Sequence, residues 1–173
     1  MSRVKVIKDV TELVPVLRAV STNVKKDVYT DLAEGWQTEE EIEERYGEEG
    51  KKTLKIFDKM DLVETRWQHT GKETQKAYHT YYSDVHIDAS VPIEEISDVL
   101  FAAMMDEEEF EEIEEQILES VKEGNTFAND ISKKIGYSGI TLQGLVKRSV
   151  KLKYKGHRIE EIKEGRSRWI WKV

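Results

Sequence analysis

Cysteine is absent from this chain of 173 residues, which excludes a disulfide framework, a thiolate metal site and a cysteine nucleophile. No apolar run approaches the length of a membrane span, and the opening MSRVKVIKDV lacks the apolar core of a signal peptide. A membrane partner is therefore not expected, and a cytoplasmic protein is. No phosphate-binding loop, dinucleotide fingerprint or catalytic-triad pattern is present, so neither an enzyme nor a bound cofactor is indicated. Proline is scarce: Pro15 falls early enough in a helical stretch to be tolerated in its first turn, and Pro92 closes a unit.

What the chain does have is charge, unevenly spread. Hydrophobic residues make up 38% and charged residues 36%, a balance that small domains of high surface-to-volume ratio produce. The net charge is −8, but residues 1–120 carry 14 basic against 30 acidic side chains, whereas residues 121–173 carry 13 against 5. The first part nets −16 and repels a polyanion; the last nets +8 and attracts one.

The chain also contains itself twice. Residues 32–62 and 121–150 align at an offset of 89, setting Glu34-Gly35 on Glu123-Gly124, Ile42 on Ile131 and Gly47 on Gly136. After one slipped residue, Leu54 falls on Leu142 and Phe57 on Leu145. Each copy reads as a helix end, a turn, a short helix, a glycine turn and a longer helix, which is the plan of a helix-turn-helix. In the first copy, residues 11–20 and 23–34 place apolar side chains at helical spacing, and Gly35 ends the second of these helices as a C′ glycine. Thr38 with Glu41 forms a capping box for a short helix, Gly47 stops it, and residues 48–60 form the third helix on Leu54 and Phe57. LVETRWQH and KAYHTYYSDVHI then alternate, with polar HTGKETQK as the tip of a hairpin. Helix-turn-helix plus hairpin is a winged helix.

After Pro92, residues 93–105 read as a helix. Residues 106–123 read as a longer one capped by Asp106 with Glu109, whose stripe of Phe110, Ile113, Ile117 and Val121 is a candidate dimer seam. Residues 126–135 and 138–150 are the second copy's helices, and HRIEEIKEGRSRWIWKV reads as a strand, a turn at Glu164-Gly165 and a strand. The expected fold is mainly α with small β-hairpin wings: tandem winged helix-turn-helix domains over residues 1–91 and 124–173, joined by a central helical pair over residues 92–123.

A helix-turn-helix reads DNA by laying its last helix in the major groove. In the second copy Gln143, Lys147 and Lys151 recur every four residues as one outward stripe, flanked by Arg148, with Thr141 near the helix start. Glutamine suits adenine, and lysine or arginine suits guanine or phosphate. Gly144 on that face permits a close backbone approach. Lys153, Lys155, His157 and Arg158 extend the positive surface, and Lys163, Arg166 and Arg168 crowd the wing turn, where a backbone or minor-groove contact is made. A solvated lysine face would look the same on the helix alone; basic helix, loop and wing together favour DNA. The first copy is ambiguous. Lys51, Lys52, Lys55 and Lys59 crowd one side of its third helix, yet Glu48 and Glu49 sit at that helix's N-terminus, where they suit the dipole and repel phosphate. It is either a second DNA contact through Lys52, Lys55 and Lys59 or a docking module.

The aromatics Trp67, Tyr78, Tyr81 and Tyr82 read as the hairpin's packed face and a dimer contact, and Trp36 as a packing residue. His79 and His86 are seven apart, so a regular strand points them to opposite sides, against an ion shared with Asp84 and His69. No metal site is expected. The glutamates of residues 106–123 have no catalytic partner or apolar pocket beside them and read as a solvated face.

NVKKDVYTDLAEGWQTEEEIEERYGEEGKKTLKIFDKMDLVETRW, followed by KAYHTYYSDVHI, resembles the winged helix of ArsR-type transcriptional regulators. From VKVIKDVTELVPVLRAVSTNVKKDVY onward the chain resembles an archaeal, methanogen-type branch of that family, over most of its length and most strongly in residues 4–90. The resemblance implies a homodimeric DNA-binding regulator. Metal-sensing members use cysteine ligands, which this chain lacks, and a second, basic winged helix is not part of the minimal plan. The expectation is a transcriptional regulator that binds double-stranded DNA as a homodimer without metal. The rival expectation is an adaptor of the transcription machinery whose acidic first part meets a basic partner protein.

Overall fold

Side-chain caps fix the helix starts that the sequence marks. The computed structural model describes residues 2–71 and 73–163. β1 (Val4–Ile7) leads through a 3-10 turn (Val10–Glu12) into α1 (Leu13–Ala19) and α2 (Asn23–Glu34). β2 (Gln37–Thr38), α3 (Glu39–Lys59), β3 (Val63–Thr70), β4 (Glu73–Thr80) and β5 (Asp84–Ile87) follow. A second 3-10 turn (Ile93–Glu95) opens the helices α4 (Ile96–Met104), α5 (Glu107–Lys122), α6 (Ala128–Ile135) and α7 (Gly139–Arg148), and the pair β6 (Leu152–Lys155) and β7 (Arg158–Glu161) completes the described elements. The result is mainly helical with small sheets. Thr38 and Glu41 make both arms of the capping box, and Asp106 and Ser138 accept from the third N–H of α5 and α7. Each such cap is worth about 1 kcal/mol.

Both glycine turns need a positive φ, though they differ in ψ, −156° at Gly47 and 18° at Gly136. Gly47 (φ 65°) breaks α3 into a short and a long piece, and Gly136 (φ 79°) separates α6 from α7. Both sit at positive φ, where a side chain is strained. Gly35 differs from the expected left-handed C′ residue, because it ends α2 in an extended conformation that any residue adopts.

The hairpin is longer and tighter than its polar tip suggests. β3 pairs antiparallel with β4 out to Thr70 and Glu73, and β2 joins the other side of β4. The last part of KAYHTYYSDVHI leaves this sheet: β5 pairs in parallel with β1, Val4 facing Asp84 and Ile7 facing Ile87. In the second copy the hairpin turns at Gly156-His157, between β6 and β7, with Lys155 paired to Arg158. The expected turn at Glu164-Gly165, with Arg166, Arg168, Trp169 and Trp171, lies outside the described residues.

Two apolar clusters hold the molecule. One gathers Val28, Leu32, Ile42, Leu54, Phe57 and Tyr78 from α2, α3 and the three-stranded sheet. The other gathers Ile131, Leu142, Leu145, Leu152 and Ile159 from the second copy with Val99, Ala102, Ile113 and Ile117 from α4 and α5. The residues matched by the repeat, Ile42 with Ile131, Leu54 with Leu142 and Phe57 with Leu145, are all 0–1% exposed. Each contributes roughly 1.5–3 kcal/mol by leaving water. α1 belongs to both, with Val14 in the second cluster and Ala19 in the first. This overturns the reading of the α5 stripe as a dimer seam, since Phe110, Ile113 and Ile117 are buried against the chain's own α4, α6 and α7.

Candidate nucleic-acid interface

The second half of α3 turns Leu54 and Phe57 into the core and leaves Lys52 and Lys55 exposed. Lys51, beside them, is held by the short helix before the kink, with Glu39 at 3.3 Å and Glu43 at 3.5 Å. Glu48 and Glu49 are exposed at the start of this half, and Glu49 accepts a hydrogen bond from Thr22 at 3.2 Å. The hairpin β3–β4 stands next to this helix. On it, Arg66 lies over the Trp36 ring at 4.2 Å, His79 stacks on the same ring at 5.3 Å, and the buried Nδ1 of His79 has Glu64 Oε1 3.4 Å away. Tyr78 is buried as expected of a hairpin core, but Trp67 is 56% exposed and is not a packing residue of this chain.

α7 is covered where an outward face was expected. Thr141 is 2% exposed, with its hydroxyl facing the Asp98 carbonyl of α4. Gly144 does permit a close approach, but of protein: a Cβ there would meet Ala102 Cβ and Val14 Cγ2, each at 2.9 Å. Arg148 points inward and donates to the carbonyls of Ala102 (3.1 Å) and Met105 (2.7 Å) and to Glu107 (3.0 Å). Burial, then the neighbouring Arg18, pull its pKa below the usual arginine range. Thr141 and Arg148 are therefore not surface contacts, and their expected role at a groove is corrected. Lys147 binds Asp9 at 2.9 Å and the Thr11 hydroxyl at 2.7 Å. Lys151 is half-exposed and pairs with the buried Glu114 at 2.8 Å, which raises its pKa. Gln143 is exposed, at the edge of a hollow shared with Phe127, Asn129, Tyr154 and His157. Lys153, Lys155, His157, Arg158 and Lys163 are exposed on and after the β6–β7 hairpin. Arg166 and Arg168 lie outside the described residues.

Lys59, expected on the DNA side of the first copy, instead crosses to the second. Its ammonium donates to the carbonyls of Val146 (2.8 Å) and Ser149 at the C-terminal end of α7. That end carries the negative pole of the helix, which a cation complements. Burial pushes the Lys59 pKa down to about 7, against the attraction of Glu114. Its expected DNA contact is corrected on the same ground as Arg148.

The junction also holds Asp9 and Thr11, which the sequence did not single out, and Glu114, whose expected place on a solvated glutamate face is corrected by its burial. A signal existed for Glu114. It is four residues after Phe110 and three before Ile117, so it lies on the stripe that α5 buries, and it is 4% exposed. The basic charge of the second copy is thus partly answered within the chain, by Asp9, Glu107, Glu114 and, for Lys134, Glu123.

Among the described residues no group of three or more metal-ligating side chains could hold an ion, and no helix is long and apolar enough to cross a membrane. A family model described as ArsR transcriptional regulator matches residues 7–163. Among curated proteins the comparison finds no match.

Proposed function

The chain belongs to the ArsR transcriptional regulator family, and on that premise we propose that it binds double-stranded DNA as a homodimer, with the first winged helix as the main reader. The observation that carries this reading is the difference between the two third helices: Lys52 and Lys55 are exposed together on α3 beside a hairpin, whereas α7 has the uncharged Ile140 and Gln143 at the matching positions. Glu48 and Glu49 keep phosphates away from the N-terminal end of that half-helix, so it meets the groove through its middle turns. The hairpin β3–β4, with exposed Arg66 and Trp67, lies alongside the duplex as the wing. The second copy contributes weaker backbone contacts through Gln143, Lys151 and Lys163 at its surface, together with Arg166 and Arg168 beyond the described residues. Such contacts fix register without reading sequence.

The dimer face of this reading is on α1 and α4. Leu17, Ile96, Leu100 and Met104 are 42–78% exposed on these two helices, which pack against one another. Contiguous apolar surface of that kind marks association sites.

The test is a salt titration of binding to random-sequence duplex. Replacing both Lys52 and Lys55 by alanine is expected to lower affinity and to make the slope of log affinity against log salt shallower by about 2, one for each phosphate contact. Melting of the variant is expected to match the wild type, since both side chains are exposed. Unchanged affinity and slope would remove α3 as the reader.

A further inference from the structure

A small hollow of about 40 Å³ lies where α1, α2, α3, α5 and α7 meet, and three cations point to it: Arg18, Lys25 and Arg148. The single carboxylate in its lining is Glu107. Both guanidiniums use the same Glu107 oxygen, Oε2, Arg18 at 2.9 Å and Arg148 at 3.0 Å. Lys25 has no carboxylate within ion-pair distance among the described residues; its ammonium donates to the Arg18 carbonyl at 3.0 Å and the Ser21 hydroxyl at 3.3 Å, both neutral. Three positive charges therefore line the hollow against one lining carboxylate, with Glu49 and Asp106 acting from further off, in a site where Arg148 is 4% and Arg18 24% exposed at the side chain.

Like charges held together away from water are unfavourable unless an anion joins them. Lys25 registers the balance: its pKa is lowered, first by burial and then by the nearby Arg18, with Arg148 adding to it and Glu107 and Glu49 opposing. Glu107 answers the excess only in part. It is 62% exposed at the side chain and sits at the mouth of the hollow, on the first turn of α5. That exposure leaves its carboxylate open to replacement by a competing anion. The floor is made by Phe110, with the Arg148 guanidinium 4.2 Å above its ring, so the fork is held flat and in place. A planar guanidinium pair beside an ammonium matches the oxygens of a tetrahedral oxyanion. The volume exceeds that needed for a single water and suits a small ion.

We propose that this hollow is an oxyanion site that takes phosphate, free or as the phosphate group of a small molecule, with Glu107 as the internal anion that yields to it. The site joins helices from both copies of the repeat, so occupancy tightens the packing between them. It does not depend on which helix reads DNA.

Calorimetry and melting of the full chain without DNA, in phosphate against chloride at fixed ionic strength, test it. Saturable phosphate binding with a Kd on the order of 1 mM and a raised Tm are expected. Lys25→Gln should weaken phosphate about tenfold, while Glu107→Gln, which removes the competing carboxylate, should tighten it about tenfold. A merely structural Glu107 pair predicts a lower Tm for Glu107→Gln and no gain in binding. Glycerol phosphate in place of phosphate separates the two sources: tighter binding assigns a phosphorylated small molecule, equal or weaker binding assigns the free ion. Indistinguishable behaviour in phosphate and chloride, in the wild type and in Glu107→Gln alike, overturns the site, as does a Lys25→Gln variant with undiminished phosphate affinity.

Discussion

The second half of α3 and the whole of α7 descend from one sequence plan, and the protein uses them differently. By the alignment of Leu54 with Leu142, Lys55 matches Gln143, and both are exposed. Lys59 matches Lys147, and each reaches across to the other half of the molecule, Lys59 to the end of α7 and Lys147 to Asp9. Thr141, Gly144 and Arg148 form a second stripe on α7 at spacings of three and four, and that stripe receives α1 and α4. The matching positions of α3, Thr53, Ile56 and Met60, are likewise buried or half-buried. The divergence is on the open edge, where α3 carries Lys52 and Lys55 and α7 carries Ile140 and Gln143.

Removing the link between the two helices should give the largest effect. In the unfolded chain Lys59 holds its proton to its ordinary value of 10.5, but in the fold burial lowers that to about 7. Between those values the unfolded chain binds more protons than the folded one, so stability rises with pH across this window, by up to about 4 kcal/mol from pH 7 to pH 10. Lys59→Met lacks this contribution. Urea unfolding of both proteins over pH 7–10 should show wild-type stability climbing relative to the variant; parallel curves would place Lys59 in a more watery setting than this junction.

Filling the second stripe comes next. Gly144→Leu forces side-chain atoms into Ala102 and Val14 and should cost about 3 kcal/mol, whereas Gln143→Leu, one residue away on the open edge, should change stability by less than about 0.5 kcal/mol. Equal losses in chemical denaturation would mean that both sides of α7 are packed alike, and Gln143 would not lie on an open edge.

Much of the architecture was legible because local chemistry carries it. Helical spacing and the Thr38–Glu41 box located the first copy's helices, and the repeat itself located the second copy's, since equivalent inward residues survive in both. The site was less legible for a physical reason. Periodicity identifies the side of a helix that must be buried, not a further side that another part of the chain happens to cover. Gly144 and Thr141 were the available hint, small residues next to Arg148 at packing spacing, but a groove and a neighbouring helix both favour small residues there. Charge misled in the same way. The +8 of residues 121–173 attracts any anion, and the carboxylates of Asp9, Glu107 and Glu114 are anions of the same chain. Parallel pairing of β5 with β1 was not legible at all, because nothing in VKVI or DVHI names a partner so far along the chain.

The smallest expected effect is the sharpest test of which copy meets DNA. Asp9 is raised by burial, but hydrogen bonds from Lys147 and Thr11 outweigh this and hold its pKa below the usual 3.8. Its contribution to stability is therefore present above pH 3.8 and is lost as pH falls through the lowered folded value. With the Asp9 side chain 49% exposed, solvent screening limits that contribution to less than about 1 kcal/mol at neutral pH. Asp9→Asn keeps an oxygen to accept from the Thr11 N–H, so the turn before α1 persists while the ion pair to Lys147 goes. Acid unfolding of variant and wild type should converge at low pH. In DNA titrations the salt slope should not move, because Lys147 keeps its hydrogen bond to the Thr11 hydroxyl. A slope steeper by about 1 would mean that the released Lys147 had found a phosphate, and the roles of the two copies would have to be exchanged.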